Sequence, residues 1–142
     1  MSEPDLRLFF LLQRAAHRLR TGFDRRLLAA AGITTAQLGA LYAVRDEPGI
    51  TQQQLARVLG LRESAVTGLV GRLTTAGLVV KRAHPREHRA VVLELTAAGA
   101  AALDAAQPEV DGFNAEARAL LGDDGFTRTA EAMRALAHWE SL

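Results

Sequence analysis

Apolar side chains recur every three or four positions along most of the 142-residue chain, which is the spacing of amphipathic helices. The pattern predicts a long first helix over residues 5–30, ended by Gly32, and shorter helices over about 35–46, 52–59 and 63–76. The apolar face of the first helix is expected to hold Phe9, Leu12, Ala16, Leu19, Phe23 and Leu27.

Two T-x-x-Q segments mark where the second and third helices begin. Thr34 with Gln37, and Thr51 with Gln54, have the spacing of capping boxes, in which side chains satisfy the first free N–H groups of a helix. Gly60 and two further residues are all that separate the third helix from the fourth. Two short helices joined this tightly are typical of a helix-turn-helix.

Each helix of this motif has one apolar face. We expect the third helix to bury Leu55, Val58 and Leu59, and the fourth to bury Val66, Leu69, Val70 and Leu73. The opposite face of the fourth helix includes Gly68 and Gly71 and carries little charge, whereas a solvated face usually holds Glu and Lys. Such a face can approach the floor of the DNA major groove closely.

The period then changes from helical to alternating. Residues 78–82 and 91–95 predict two strands of a hairpin, joined by the polar loop 83–89 that contains two arginines and two histidines. A hairpin in this position is a wing beside the helix-turn-helix. Arg86 and Arg89 at its tip are suited to the minor groove of DNA.

Helical spacing returns after Thr96, a good N-cap. The remaining sequence predicts a helix that is kinked at Pro108 and ended by Gly122, and then a final helix capped by Asp123. The predicted fold class is therefore mainly α with a small β-hairpin wing, a winged helix-turn-helix flanked by long helices.

This pattern divides the chain into an N-terminal arm (1–32), the winged helix-turn-helix core (33–96) and C-terminal helices (97–142), within one compact domain overall. The end helices carry apolar stripes outside the compact core. A second copy of the chain is the simplest cover for these stripes, so we expect a two-fold homodimer built by dimerisation helices at both ends.

The formal net charge of +1 is unevenly distributed. Residues 1–50 carry +2, residues 51–96 carry +4 and residues 97–142 carry −5. The basic middle coincides with the predicted winged core, as expected for a protein that contacts phosphates. The chain contains no cysteine, which excludes disulfides, thiolate metal sites and a cysteine nucleophile within it. No targeting or membrane segment is visible, so a cytoplasmic location is expected.

These patterns predict an interface with double-stranded DNA. In the fourth helix, Ser64 and Thr67 can hydrogen-bond to bases or phosphates, and Ala65 can contact a thymine methyl group. Arg62 and Arg72 are placed for phosphates. The candidate DNA-binding residues are Thr51, Gln52, Arg62, Ser64, Ala65, Thr67, Gly68, Arg72, Arg86, His88 and Arg89.

A series of short segments between Ile33 and Leu103 strengthens this interpretation. They are Thr51-Gln52, Gln54-Leu55-Ala56, Leu59-Gly60-Leu61, Ser64-Ala65-Val66-Thr67, Leu69-Val70, Arg72-Leu73, Gly77-Leu78-Val79, Pro85, Arg89, Leu95-Thr96 and Gly99. In order and spacing, this stretch of about 70 residues resembles the MarR family of bacterial transcription regulators. The resemblance implies a homodimer that binds a pseudo-palindromic operator, usually as a repressor. It also implies that small phenolic or anionic ligands, or oxidants, release the protein from DNA.

The sequence departs from the pattern of that family at three positions. Glu87 stands where the family often has Asp, which puts its support of Arg89 in doubt, and His88 stands where a second Arg or Lys is common. Gly68 replaces an Arg that many members carry, so we expect one direct base contact to be absent and specificity to shift toward the wing and DNA shape. The lack of cysteine excludes release by thiol oxidation.

Other chemistry is weakly represented. Arg14, His17 and Tyr42 are candidates for lining a ligand cleft, although an ordinary surface or interfacial histidine is the more common interpretation of a residue such as His17. His84 and His88 lie in a loop that does not align them, so no metal site is expected. No cofactor is expected, and no catalytic constellation argues for an enzyme. The main alternative is a winged-helix module that binds proteins and not DNA.

Overall fold

The computed structural model describes residues 7–142, which form helices and a small antiparallel sheet. In chain order the elements are α1 (Leu8–Ala31), α2 (Thr35–Asp46), β1 (Ile50–Thr51), α3 (Gln52–Leu59), α4 (Glu63–Thr75), β2 (Val79–Ala83), β3 (Val91–Leu95) and α5 (Ala97–Ala137). The predicted fold class is confirmed. The predicted start of the first helix at residue 5 lies outside the described residues.

Local signals position the helix ends as the sequence predicts. In both T-x-x-Q segments the capping box is complete: the threonine hydroxyl accepts the glutamine N–H, and the glutamine side chain accepts the threonine N–H. Gly32 ends α1 and Gly60 ends α3, each in the left-handed conformation that glycine adopts without steric cost. The short turn after Gly60 then sets α4 against α3.

The wing belongs to a three-stranded sheet in the order β1-β3-β2. Val79 pairs with Leu95 and Ala83 with Val91, which makes β2 and β3 the predicted hairpin. Strand β1 completes the sheet by pairing with β3, where Ile50 lies opposite Leu93. A two-residue strand leaves no periodic signal in a sequence. Through β1, the start of α3 is fixed to the base of the wing.

The core is built mainly by α2, α3, α4 and the sheet. All four predicted inward residues of α4 are buried, as is Leu55 of α3. The expectation for Val58 is wrong: it is 61% exposed, and Ala56 is buried in its place. Around the helix, the inward arc runs from Leu55 through Leu59 to Ala56, and Val58 lies outside this arc, on the far side of Leu55.

Thr96 joins the sheet to the last helix. Its hydroxyl donates to the carbonyl of Gly77 at 2.7 Å and accepts the N–H of Gly99 at 3.0 Å. A Cβ on Gly99 would clash with the carbonyl oxygen of Leu78 and approach Leu95 to 2.7 Å. This close packing explains why the first turn of α5 has glycine on its inner side.

The described chain forms two compact units, one ending at Ala106 and the other comprising Gln107–Leu142. The long element α5 loses helical torsions at Gly122 (φ 77°, ψ 161°), where the sequence predicts a helix end. Pro108, where the sequence predicts a kink, lies inside α5 and has helical backbone torsions. In the second unit, the guanidinium of Arg118 lies 4.3 Å from the centre of the Phe126 ring.

The predicted apolar face of α1 is only partly covered within the chain. Leu27 is buried and Leu12 and Phe23 are half-buried, but Leu19 is half-exposed and Phe9 is 64% exposed. Among the described helices, none is by itself long and apolar enough to cross a membrane, although α1 and α2, bent by 67°, reach the required length and composition as a pair.

Candidate nucleic-acid interface

The solvent face of α4 has the small, exposed surface that the sequence predicts. Ser64, Ala65, Thr67 and Gly68 are all exposed, directly opposite the buried face of the same helix. The hydroxyl of Thr67 donates to the carbonyl oxygen of Glu63 at 2.9 Å. Its proton is therefore used within the helix, and its oxygen lone pairs face solvent as acceptors for a base amine.

Two arginines frame this face. Arg62 is the N-cap residue of α4 and makes no side-chain cap hydrogen bond. A Cβ on Gly68 would lie 3.6 Å from Nη1 of Arg72, so the guanidinium of Arg72 lies beside the bare backbone of Gly68. Both arginines are exposed, as phosphate contacts require.

The start of α3 supplies a second set of polar groups. The hydroxyl of Thr51 accepts the N–H of Gln54 at 3.1 Å, which leaves its own proton available to donate. Gln52 is the first helical residue and is half-buried. A helix N-terminus with a free hydroxyl donor favours a phosphate.

The wing tip presents exposed side chains at Arg86, His88 and Arg89. Arg89 has φ +75°, and it is the single non-glycine residue with positive φ within residues 7–142. That conformation is unfavourable for an arginine unless the surrounding loop imposes it. Within residues 7–142, no ion pair joins Glu87 to Arg89.

An open cleft of about 600 Å³ lies between the start of α3 and the wing. Thr51, Gln52 and Arg89, three of the predicted DNA-binding residues, line it together. Arg57 and His84 line it as well, and neither is in the predicted set. The sequence signal for Arg57 is modest: it is a basic residue in the last turn of a short helix.

The predicted ligand residues are only partly brought together. Arg14 and His17 line a shallow groove along one face of α1, with Arg18, Thr21, Gly22 and Arg25. Tyr42 is not among its lining residues; its ring lies 4.8 Å below the guanidinium carbon of Arg45. The groove is therefore basic and built by a single helix. From Arg7 onward, no three His, Asp or Glu side chains are placed to share a metal ion.

Comparison with known proteins assigns this architecture to a family. A sequence model described as MarR family matches residues 31–90. The activatory protein BadR of Rhodopseudomonas palustris is 34% identical over 122 residues, which cover 82% of the chain and 67% of BadR. The chain belongs to the MarR family. The resemblance that the sequence motifs indicate is thus confirmed.

Other MarR-family proteins extend this comparison. The transcriptional repressor NicR of Pseudomonas putida is 32% identical over 68% of the chain and 61% of NicR. The chain spans about three fifths of the length of the first curated relatives that it matches.

Two solved structures resemble the chain over most of its length. The regulator MosR of M. tuberculosis, solved in complex with DNA, is 30% identical and superposes with a TM-score of 0.78 over 90% of this chain and 91% of MosR. NadR, solved in complex with 4-hydroxyphenylacetate, is 27% identical, with a TM-score of 0.78 over 99% of both chains.

Proposed function

We propose that the protein is a sequence-specific DNA-binding transcription regulator that acts as a homodimer on a pseudo-palindromic operator. The observation that carries this proposal is the pairing of a small, exposed α4 face with an arginine-bearing wing, both in the most basic third of the chain. The DNA complex of MosR, which shares the fold and 30% of the sequence, supports it.

In the proposed complex, α4 lies in the major groove. Ser64 and Thr67 offer hydrogen-bonding oxygens to base edges, and Ala65 offers a methyl contact to thymine. Arg62 and Arg72 neutralise phosphates on either side. Since Gly68 contributes no side chain, sequence discrimination depends more on the wing, where Arg89 enters the adjacent minor groove.

A homodimer accounts for the apolar surface that each unit exposes. Phe9, Phe10 and Leu19 of α1 are exposed in the first unit, and Leu120 and Met133 are exposed in the second. Burying such side chains against a second copy is favourable at about 25 cal/mol per Å². In the resulting two-fold dimer, the two α4 helices would be about 34 Å apart, one turn of B-DNA.

The regulator is proposed to be a repressor that a small phenolic or anionic ligand releases. The relatives differ in their effect on transcription, since NicR is named a repressor and BadR an activatory protein. NadR with bound 4-hydroxyphenylacetate supports the ligand class. In this chain, the basic groove that contains Arg14 and His17 has the charge to attract a carboxylate, with Tyr42 as a further candidate from α2.

Fluorescence anisotropy with a labelled duplex from the intergenic DNA beside the gene of this protein tests the proposal. Affinity should fall steeply between about 50 and 200 mM salt as phosphate counterions are released, and an unlabelled unrelated duplex should compete poorly. Adding 4-hydroxyphenylacetate should lower the affinity. A winged-helix module that binds only proteins would leave the anisotropy unchanged at every salt concentration.

A further inference from the structure

The ring of His84 organises the tip of the wing. Its Nδ1 accepts hydrogen bonds from two backbone N–H groups, those of Arg86 and Glu87, each at 3.0 Å. The backbone N–H of His84 itself donates to the carbonyl of Ala90 at 3.0 Å, which closes the loop at its base. His84 is half-buried, whereas residues 85–89 of the same loop are exposed.

This arrangement has the geometry of an Asx turn. In such turns an Asn or Asp side-chain oxygen accepts the N–H two residues later, and a proline often follows it. Here Pro85 follows, and the imidazole Nδ1 occupies the place of the Asn oxygen, at the same number of bonds from the backbone. Histidine differs from Asn in one respect that matters for regulation: an imidazole is a base that can accept a proton, whereas an amide is not.

Protonation is incompatible with the observed hydrogen bonds. Nδ1 accepts the two N–H groups only in the neutral ring, in which the single proton lies on Nε2. A protonated ring has N–H groups at both nitrogens, so Nδ1 would then point a proton at two other protons. Both hydrogen bonds to the loop are therefore lost when His84 becomes charged.

The first turn of the loop supports the second, which contains Arg89. The carbonyl of Glu87 accepts the N–H of Ala90 at 3.3 Å, and Arg89 lies inside this turn with φ +75°. A positive φ at arginine persists only where the surrounding structure imposes it. Releasing Glu87 from His84 removes one of the constraints on that conformation.

The charged groups that share the cleft with the His84 ring are Glu47 from the end of α2, Arg57 of α3, and Glu87 and Arg89 of the wing. Two of these side chains are acidic and two are basic. Substitutions at His84 alone leave all four in place, so they test the ring without changing the charges around it.

We propose that neutral His84 holds the wing in its DNA-binding conformation, and that protonation of this ring opens the turn and weakens DNA binding in acid. His84 is thus a positioning residue that acts on DNA through Arg89. The effect on DNA binding rests on the proposed function. The link between the His84 ring and the loop does not depend on DNA.

The DNA test compares affinities for the intergenic duplex at about pH 7.5 and 5.5 in wild type, His84→Asn, His84→Ala and the control His138→Asn. Wild type and the control should lose about tenfold in affinity on acidification, the size expected for two lost hydrogen bonds. The acid-induced loss of affinity should be about tenfold smaller in His84→Asn than in wild type, because the Asn amide oxygen accepts the same N–H groups and does not titrate, while His88 is present in both proteins. His84→Ala should bind weakly at both values.

An equal acid loss in wild type and His84→Asn would overturn the inference, as would wild-type affinity in His84→Ala at pH 7.5. A second readout uses the protein without DNA: the amide resonances of Arg86 and Glu87 should shift with the His84 ring protons during an NMR pH titration, but not in His84→Asn. If the Arg86 and Glu87 resonances shift but DNA is not bound at any pH, the proposed function fails and the link between the His84 ring and the loop stands. If DNA is bound but these resonances do not shift, the proposed link fails and the proposed function stands.

Discussion

The carboxylate of Asp24, in α1, accepts a hydrogen bond of 2.7 Å from the backbone N–H of Thr35, in the first turn of α2. The two residues are eleven positions apart, and the bond crosses the turn between the helices. It adds to the capping box of Thr34 and Gln37 at the same helix end. A negative charge at a helix N-terminus is also favoured by the helix dipole. Asp24 therefore links α1 to the winged helix-turn-helix core.

Replacing Asp24 with Ala should lower the free energy of unfolding by about 1–2 kcal/mol, because a helix N-terminus loses both a hydrogen bond and a favourable charge. Urea denaturation followed by circular dichroism measures this change. Asp104→Ala removes the same charge from an exposed position of α5 and should leave the denaturation midpoint nearly unchanged. Equal midpoints for Asp24→Ala and wild type would show that this contact does not stabilise the fold.

The features that sequence predicts well in this chain are local. The two capping boxes, the glycine stops and the buried face of α4 each depend on residues within one or two helical turns, so their spacing is sufficient to predict them. The same holds for the hairpin, whose alternation predicts both strands.

What the sequence does not predict here depends on contacts between segments. Strand β1 exists because Ile50 pairs with Leu93, and the hydrogen bond of Asp24 depends on how α1 meets α2. The role of His84 likewise follows from loop geometry, because a histidine before a proline has no distinctive pattern of its own. At the candidate site, the sequence predicts that Arg89 lies at the tip of the wing, but it does not predict the positive φ of this residue.

Leu69 and Val58 provide a matched test of the helix-turn-helix core. Leu69 is 2% exposed and Val58 is 61% exposed. Leu69→Asp should unfold the winged core because it buries a charge without a partner, whereas Val58→Asp should leave the melting temperature nearly unchanged. Thermal melts followed by circular dichroism distinguish the two outcomes. A cooperative, wild-type melt of Leu69→Asp would contradict the inward face assigned to α4.

Arg89→Ala should leave the proposed dimer intact and weaken operator binding by about 1–3 kcal/mol, because the proposed contact in the minor groove is lost. Light scattering checks the first expectation and anisotropy titration the second. Arg128→Ala removes one positive charge from an exposed position outside the predicted interface and serves as the control. Equal affinities of Arg89→Ala and Arg128→Ala would reject the role assigned to the wing.

Gly68 and Gly99 should respond to alanine in opposite directions although both lie in helices. A Cβ on Gly68 would meet only Nη1 of Arg72, at 3.6 Å, an ordinary contact. Gly68→Ala should therefore raise the free energy of unfolding by about 0.5–1 kcal/mol, the difference in helix propensity. A Cβ on Gly99 would clash with the carbonyl of Leu78. Gly99→Ala should be destabilising by about 1–3 kcal/mol because the helix must move off the sheet.

Urea denaturation of both glycine variants beside wild type measures these two changes. Because Gly68 faces the proposed major groove, Gly68→Ala should also weaken DNA binding, although it stabilises the free protein. Stability and affinity moving in opposite directions would distinguish a close approach of DNA from a merely solvated helix face. A stabilised Gly68→Ala variant with unchanged affinity would count against the placement of α4 in the groove.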